Sequence, residues 1–489
     1  MTIGYRSLTL LLALVLVLDF RVGLAQRPRA DGSKRGGAKR VASAGLPRYW
    51  FKVGQELNYE TAKEFTTSDG RKITSQADWQ LWVVDENDDG SWQIVLRHAL
   101  GSSTVVDENA PKPKPSAQDD EAAATAVAER VTLARFEVFP DGRVAENPAL
   151  AFRVEPELLF LQLPKTRQEF DEGWEAINPT TQVHYRYRLV PQDDKESDLL
   201  VATATRESVI DEIFASTSKS TFYFNRERGI VERVETQDSQ SFLVVGKGSG
   251  ETELDDVSEF EVEWCRQLSD EVDSYLAADE QYQKLMRQAE RDADNTDILL
   301  VRAAHVLQTA LEEATLPIVK EQFQQQLADH KVTAAVISRN ARDRADLIGQ
   351  PSPLWQAQDL NGHRHSLKDY KGKVVVLDFW NRGCGWCMRT IPQVKQVAEQ
   401  FLGRQVVVLG MNTDRDEKDA RLVIAKLKLS YPILKAGALP AKYMIPGFPT
   451  LLVIDQQGVV RDMYVGYSPT LGKDVSATIE ALLNEKAGR

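Results

Sequence analysis

An apolar run followed closely by two cysteines constrains the C-terminal part of this 489-residue chain. Residues 374–380 read Val-Val-Val-Leu-Asp-Phe-Trp, which is the length of one buried strand. Cys384 and Cys387 follow, and apolar side chains then recur at helical spacing, at Ile391, Val394, Ala398 and Phe401. The pattern predicts a strand, a short loop and a helix whose first turn carries both cysteines.

Two cysteines at this spacing can close a small disulfide ring. The amides exposed at the start of a helix stabilise a thiolate, which is the nucleophile in disulfide exchange. Three cysteines in the whole chain are too few for a scaffold held together by disulfides. We therefore interpret Cys384 and Cys387 as a candidate redox pair rather than an architectural one.

The N-terminus has the layout of a secretory signal. Arg6 precedes an apolar run from Leu8 to Leu18, and Gly23-Leu24-Ala25 precedes Gln26. The run is shorter than the roughly 20 apolar residues that a spanning helix needs. We expect cleavage after a signal peptide at 1–25 and an exported protein, periplasmic or extracytoplasmic, with an uncleaved membrane anchor as the alternative.

Residues 26–46 are rich in basic, Gly, Ala and Ser residues and have no apolar period, which predicts a disordered linker. Its basic residues are Arg27, Arg29, Lys34, Arg35, Lys39 and Arg40. The segment is either a solvated tether or a peripheral contact to anionic lipid or cell-wall polymer. The formal charge is −12, and removing a signal segment with a charge of +1 makes it −13. This acidity argues against nucleic acid as a partner.

Residues 47–265 alternate in the period of β-strands, with turn signals at Asp89-Gly90 and Asp141-Gly142. They predict an antiparallel β-rich domain, as a sheet, half-barrel or sandwich, whose interior is a core or a ligand pocket. Residues 107–129 are rich in Pro, Ala and acidic residues and predict an exposed insertion. The acidic segment before Gly90 resembles half of a calcium loop, but Leu96 stands where the ligating glutamate belongs, so we expect a hairpin turn and no metal.

Helical spacing begins after Cys265, and residues 266–348 predict a helical connector of three helices. Residues 349–489 follow the order strand, helix, strand, helix, strand, strand, helix. The last helix is predicted to be capped by Ser468, with Pro469 at its first position. The expected architecture is a multidomain α+β chain with a C-terminal α/β domain whose central sheet has helices on both faces.

Three separated elements of the C-terminal domain resemble thioredoxin-fold proteins. They are Asp378-Phe379-Trp380, then Cys384-Gly385-Trp386-Cys387, and later Gly447-Phe448-Pro449-Thr450. The entrance to the domain, from Asp359-Leu360-Asn361-Gly362 to Lys371-Gly372-Lys373-Val374, looks like exported thiol-disulfide oxidoreductases of the TlpA/ResA type. The resemblance covers about the last 140 residues.

The resemblance implies a role for each site residue. Cys384 would be the nucleophile, Cys387 the resolving thiol, and Asp378 the buried acid that relays the proton of the resolving thiol. An acid in an apolar strand is expensive to ionise, which also favours proton transfer. The alternative for Asp378 is a side chain that points to an edge of the sheet or pairs with a Lys or Arg. Pro449 matches the family's cis-proline. The predicted substrate-binding residues are Trp380, Trp386, Phe448 and Pro449.

Some features leave alternatives open. The pair Gly385-Trp386 differs from the Gly-Pro of thioredoxin, so the direction of electron flow stays undecided. Proteins of the TlpA type often have a glutamate where this chain has Thr390. Cys265 is interpreted as a buried free thiol, with a relay or an interchain disulfide as alternatives. The scattered histidines, including His363 and His365, show no metal-binding spacing, and we expect no cofactor.

Two hypotheses follow. The first is an exported thiol-disulfide oxidoreductase that acts on dithiol or disulfide client proteins, with a separate redox partner, while the β-rich domain positions the client. The second is an envelope protein that binds a ligand or polymer through the β-rich domain, with the thioredoxin-like domain as a scaffold.

Overall fold

The structure, a computed structural model, describes residues 45–68, 70–107, 130–145, 156–178, 183–192, 198–210, 214–240 and 246–487. The predicted signal peptide, nearly all of the basic linker and the insertion beyond Asp107 lie outside the described residues. The chain divides into two compact units, each described by itself. The first contains the β-rich region with Phe214–Glu280 and Val306–Leu327, and the second contains Gln281–His305 and the residues from Ala328 onwards.

The first unit is built on one ten-stranded sheet in the order β4-β3-β2-β1-β10-β9-β8-β7-β6-β5. The pairings from β4 through to β8 in this order are antiparallel, as are β7 with β6 and β6 with β5. The strands are β1 (Gln55–Thr67), β2 (Arg71–Glu86), β3 (Trp92–Asp107), β4 (Arg130–Val138), β5 (Trp174–Ile177), β6 (His184–Leu189), β7 (Leu199–Ile210), β8 (Phe214–Asn225), β9 (Ile230–Gln240) and β10 (Gly246–Glu259). Of the three predicted architectures, the described strands form the single sheet.

Alternation along the strands separates the two faces of this sheet. One face carries a core of apolar and aromatic side chains, among them Tyr59, Leu81 and Ile94. The other face is also buried in part, because Trp82 lies against Trp264 with ring centroids 6.0 Å apart. This double coverage explains why residues 81–84 are continuously apolar.

Three long helices follow the sheet: α2 (Val262–Arg291), α3 (Thr296–Glu313) and α4 (Pro317–Leu347). A short helix, α1 (Arg167–Glu172), lies earlier, between β4 and β5 in the chain. The segment predicted as a connector over 266–348 is divided between the two units rather than forming a third. None of the described helices combines the length and apolar content that a membrane crossing requires.

The second unit contains a five-stranded sheet in the order β15-β14-β13-β16-β17. Strands β13, β14 and β15 are parallel, whereas β16 is antiparallel to both β13 and β17. The strands are β13 (Val374–Trp380), β14 (Val406–Asn412), β15 (Ile433–Lys435), β16 (Thr450–Ile454) and β17 (Val460–Val465), and a separate hairpin pairs β11 (Gln356–Gln358) with β12 (Arg364–Ser366). The helices are α5 (Gly385–Gln400), α6 (Glu417–Leu427), α7 (Leu439–Lys442) and α8 (Leu471–Ala487).

This order contains the predicted series of strands and helices and adds short elements that the sequence did not predict. Strand β15 has three residues and helix α7 has four, so neither is long enough to display a period. Helix α8 begins at Leu471, two residues after the predicted start at Pro469. All seven residues of β13 are buried, as expected for the central strand of a sheet with both faces covered.

Candidate active site

The two cysteines of the second unit form a disulfide at the start of α5. The Cys384–Cys387 bond joins Cα atoms 5.2 Å apart. Cys384 is half-buried, whereas Cys387 is fully buried. Of these two residues, only Cys384 has exposed surface, and the resemblance implies that Cys384 is the attacking cysteine.

Cys384 is also the N-cap of α5. Its Sγ accepts a hydrogen bond from the backbone N–H of Cys387 at 3.0 Å. A sulfur at this position lies at the positive end of a sixteen-residue helix, where a thiolate is stabilised. The local sequence therefore places the candidate nucleophile at the positive end of the helix dipole.

The loop before Cys384 is held in place by a carboxylate from the neighbouring strand. The backbone N–H of Arg382 donates to both carboxylate oxygens of Asp414, at 3.0 and 3.1 Å. Asn412, the last residue of β14, donates to the same carboxylate at 2.7 Å. The Arg382 guanidinium in turn pairs with Asp419 at 2.5 Å. These contacts fix the position of the loop that carries the cysteine.

Asp378 lies inside β13 and has no exposed surface. Desolvation raises the pKa of its carboxyl group from 3.8 to about 7. The nearby Tyr431 hydroxyl opposes this rise, although its geometry falls short of a hydrogen bond, and neither carboxylate oxygen has a hydrogen-bond partner among the described residues. Among the described residues, no lysine or arginine pairs with the Asp378 carboxyl group.

Trp380 ends the same strand and is completely buried. The expectation that it contacts substrate is corrected by this burial, because a client protein has no access to its side chain. A central strand covered on both faces places an aromatic residue in the core. The indole lies beneath the site and contributes to its packing.

The segment after α7 contains the predicted cis-proline. The Phe448–Pro449 peptide bond is cis, Pro449 is buried, and its carbonyl accepts from Gly466 N–H at 2.8 Å. Phe448 is half-buried and packs against the core of the unit. Its backbone N–H and C=O are not used by any hydrogen bond among the described residues.

Trp386, between the two cysteines, is 46% exposed. Its ring stacks on Tyr467, with centroids 5.4 Å apart and an interplanar angle of 21°. The Arg389 guanidinium lies 5.0 Å from the centroid of the same ring. An exposed aromatic surface with a cation beside it thus borders the disulfide.

The remaining candidate residues make none of the contacts described above. Cys265 is a free, fully buried cysteine of α2, and burial raises its pKa to about 11. His363 and His365 both contact the carboxylate of Asp359 at the β11–β12 hairpin. The described residues contain no group of three or more His, Cys, Asp or Glu side chains placed to hold a metal ion.

Three residues at the site, Asp414, Tyr431 and Tyr467, were not predicted from the sequence. The sequence does contain a signal for Asp414, because polar residues that closely follow a parallel strand lie at the edge of the sheet where sites form in α/β folds. The sequence contains no such signal for Tyr431 or Tyr467, because each reaches the site from a segment that is distant along the chain.

A five-stranded sheet of this topology, a disulfide at the start of the helix after its central strand, and a cis-proline define the class of thioredoxin-fold proteins. The AhpC/TSA family matches residues 348–463 of the chain. The thioredoxin-like protein YneN of Bacillus subtilis is 33% identical over 122 residues, which are 24% of this chain and 71% of YneN. Through its C-terminal domain the chain belongs to the thioredoxin-fold thiol-disulfide oxidoreductases of the TlpA/ResA type, which confirms the resemblance.

Two further comparisons concern the same domain. The thiol-disulfide oxidoreductase ResA of Geobacillus kaustophilus is 28% identical over 121 residues, which are 24% of this chain and 70% of ResA. A solved thiol:disulfide interchange protein from Bacteroides sp. is 30% identical, with a TM-score of 0.25, and covers 28% of this chain and 90% of its own.

Proposed function

We propose that this protein is an exported thiol-disulfide oxidoreductase that exchanges disulfides with client proteins through Cys384 and Cys387. The observation that carries the proposal is the disulfide at the start of α5, with a half-buried Cys384 and a buried Cys387. Export is proposed from the N-terminal sequence, which has the layout of a signal peptide. An exported protein lies in an oxidising environment, where disulfide chemistry is possible.

In the reducing direction, the Cys384 thiolate attacks a client disulfide. The Cys384–client bond forms, the client disulfide breaks, and one client sulfur leaves as a thiolate. The Cys387 thiol then gives its proton to Asp378 and attacks Cys384, which closes the intramolecular disulfide and releases the second client sulfur. Two electrons pass to the client, and the oxidising direction is the reverse of these steps.

The client is expected to lie along the cis-proline segment. The unused backbone groups of Phe448 can pair with an extended client strand, as in other cases of strand addition. The exposed ring of Trp386 borders the same disulfide and offers an apolar contact. The client sequence would therefore be bound mainly through its backbone around the cysteine.

Mutational trapping tests this proposal. In full-length Cys387→Ser protein the mixed disulfide cannot be resolved, so client proteins are expected to accumulate on Cys384 and to be released by reductant. Cys384→Ser is the matched control and should trap none. Non-reducing electrophoresis followed by mass spectrometry identifies the trapped proteins.

The same preparations are assayed with a fluorescent peptide that contains one disulfide. Wild-type protein should reduce or reoxidise it, and both single variants should lose at least about 100-fold in rate, because each removes one of the two sulfurs. A wild-type protein that does neither, together with no trapped client, would exclude the oxidoreductase function.

A groove in the first unit favours a second candidate function, the binding of a polar ligand or polymer. It has a volume of about 680 Å³ and is lined by side chains of β1, β2, β3, β9 and β10. Its lining is polar and does not suit an apolar ligand. The polar side chains include Glu64, Gln76, Glu235, Gln237 and Glu251. Glycan or other polymer that co-purifies with the full chain, and is lost when Gln76 and Gln237 are replaced by Ala, would favour this function.

A further inference from the structure

Several buried polar atoms without a hydrogen-bond partner meet around Gly410. They are both carboxylate oxygens of Asp378, the indole nitrogen of Trp380 and the hydroxyl of Tyr431. Gly410 pairs with Asp378 in the sheet, and a Cβ atom added to it would lie 3.0 Å from Trp380 Nε1 and 3.3 Å from Tyr431 Cε2. Buried polar atoms are nearly always satisfied, so a cluster of unsatisfied ones requires an explanation.

The missing side chain of Gly410 makes room for this cluster. A Cβ atom there would also lie only 2.4 Å from Cδ1 of Ile433. The backbone N–H of Gly410 donates to Pro432 C=O at 2.9 Å, which holds the turn containing Tyr431 against β14. Tyr431 therefore reaches from the start of β15 towards β13 across a strand position that has no side chain.

No charged side chain among the described residues acts on the Asp378 carboxyl group. Among the described residues, Tyr431 is the one titratable side chain that bears on the Asp378 carboxyl, and no lysine, arginine or second carboxylate contributes. The cysteines of α5 are in a disulfide and do not titrate in this form. Burial holds the pKa of Tyr431 well above its usual range, so its hydroxyl keeps its proton and remains a donor.

We propose that Tyr431 is a positioning residue of the proton relay. The hydrogen bond is not made in the structure described above. When Asp378 is ionised, the Tyr431 hydroxyl turns to donate to the carboxylate and stabilises that form. This inference rests on the proposed function, because it concerns the step in which Asp378 takes the proton of Cys387. In that step the S–H bond of Cys387 breaks, an O–H bond forms on Asp378, and the new thiolate attacks Cys384. Stabilising the carboxylate keeps Asp378 able to accept the proton at neutral pH.

The test is Tyr431→Phe, which removes a single oxygen atom. The resolving step is followed by rapid mixing of full-length reduced protein with the disulfide peptide over a range of pH. Loss of a hydrogen bond to a charged group is expected to move the pH midpoint upward by about one unit. From a midpoint of about 7, this slows resolution at pH 7 by roughly fivefold, with recovery at higher pH.

Tyr443→Phe is the matched control. Tyr443 is a buried tyrosine of the same unit, but its hydroxyl pairs with Ser352 at 2.7 Å. Its variant should keep the wild-type midpoint. In the Asp378→Asn background, Tyr431→Phe should cause no further shift.

A second measurement does not depend on activity. Infrared difference spectra of the oxidised protein follow the protonation of Asp378, whose band is identified by its loss in Asp378→Asn. If Tyr431→Phe leaves both this titration and the kinetic midpoint unchanged, the inference is wrong while the proposed function stands. If wild-type protein exchanges no disulfide, the proposed function fails, and the infrared titration still decides whether Tyr431 stabilises the carboxylate.

Discussion

The carboxyl group of Asp378 is costly to ionise because it is buried without a hydrogen-bond partner among the described residues. Raising a pKa from 3.8 to about 7 corresponds to about 4 kcal/mol, at about 1.36 kcal/mol per pKa unit. A group of this kind accepts a proton near neutral pH, which is the property a relay to a thiol requires.

Asp378 should also make the stability of its domain depend on pH. Because the folded pKa is raised, its contribution is fully present below about pH 4 and is lost as the pH rises towards 7. Asp378→Asn should abolish this decline, which is about 4 kcal/mol for the wild type, and make β13 and α5 more resistant to opening at pH 8. Hydrogen exchange of peptides from 374–400, measured by mass spectrometry across pH, checks the slope.

Asp346→Asn serves as the control for this measurement, because Asp346 is exposed on α4. It should leave the slope unchanged. Equal slopes in wild type and Asp378→Asn would contradict the raised pKa and remove the physical basis for the relay. The exchange rate with the disulfide peptide should meanwhile fall in Asp378→Asn, since no base remains for Cys387.

At the scale of elements, the site is made where β13, β14 and α5 meet. Strand β13 carries Asp378, helix α5 carries the cysteines, and the segment after β14 carries the carboxylate that anchors the intervening loop. Parallel strands bring their carboxyl ends to the same edge of a sheet, which is where the three elements converge.

Removing the anchor should loosen the loop without touching either sulfur. Asp414→Ala deletes the acceptor of the Arg382 backbone N–H and of the Asn412 side chain, so a loss of about 1–3 kcal/mol in unfolding free energy is expected. Disulfide exchange should slow because Cys384 is less well positioned. Thermal unfolding and the peptide assay on the same preparation measure the two effects.

Asp414→Asn is the matched comparison variant, because it keeps one acceptor oxygen while removing the charge. It should retain most of the stability that Asp414→Ala loses. An Asp414→Ala protein as stable and active as the wild type would show that the loop is positioned by other contacts.

At the scale of the whole molecule, the chain combines a redox domain with a ten-stranded sheet and three long helices. The third cysteine, Cys265, lies in the first unit and is free and buried. Its burial and raised pKa, about 11, argue that Cys265 is not a member of the exchange cycle.

Cys265→Ser should therefore leave disulfide exchange within about twofold of the wild type, since the thiol is not an exposed nucleophile. In the native protein, an alkylating reagent should modify the reduced Cys384 but not Cys265, and denaturant should make both reactive. Mass spectrometry of the labelled peptides checks this, with Cys384→Ser as the control. Rapid labelling of Cys265 in the native protein, or loss of activity in Cys265→Ser, would instead support the alternative in which Cys265 takes part in a thiol relay.

Short-range patterns carried much of the prediction. The strand before Cys384, the helix after it and the alternation of the β-rich region depend on spacings of two to four residues along the chain. The resemblance added Pro449 and Asp378, which local spacing alone does not identify. Elements as short as β15 and α7 remained hidden, because three or four residues display no period.

The sequence by itself thus identified Cys384 and Cys387 as a candidate redox pair. It also determined the fold of the domain around them and the antiparallel character of the preceding region. Only the tertiary structure decided that Trp380 is core, that Tyr431 faces Asp378 across Gly410, and that Asp414 holds the Arg382 loop. The physical reason is that periodicity is set by neighbours in the chain. Burial, desolvation and hydrogen bonding are set by residues that meet only when the sheet assembles.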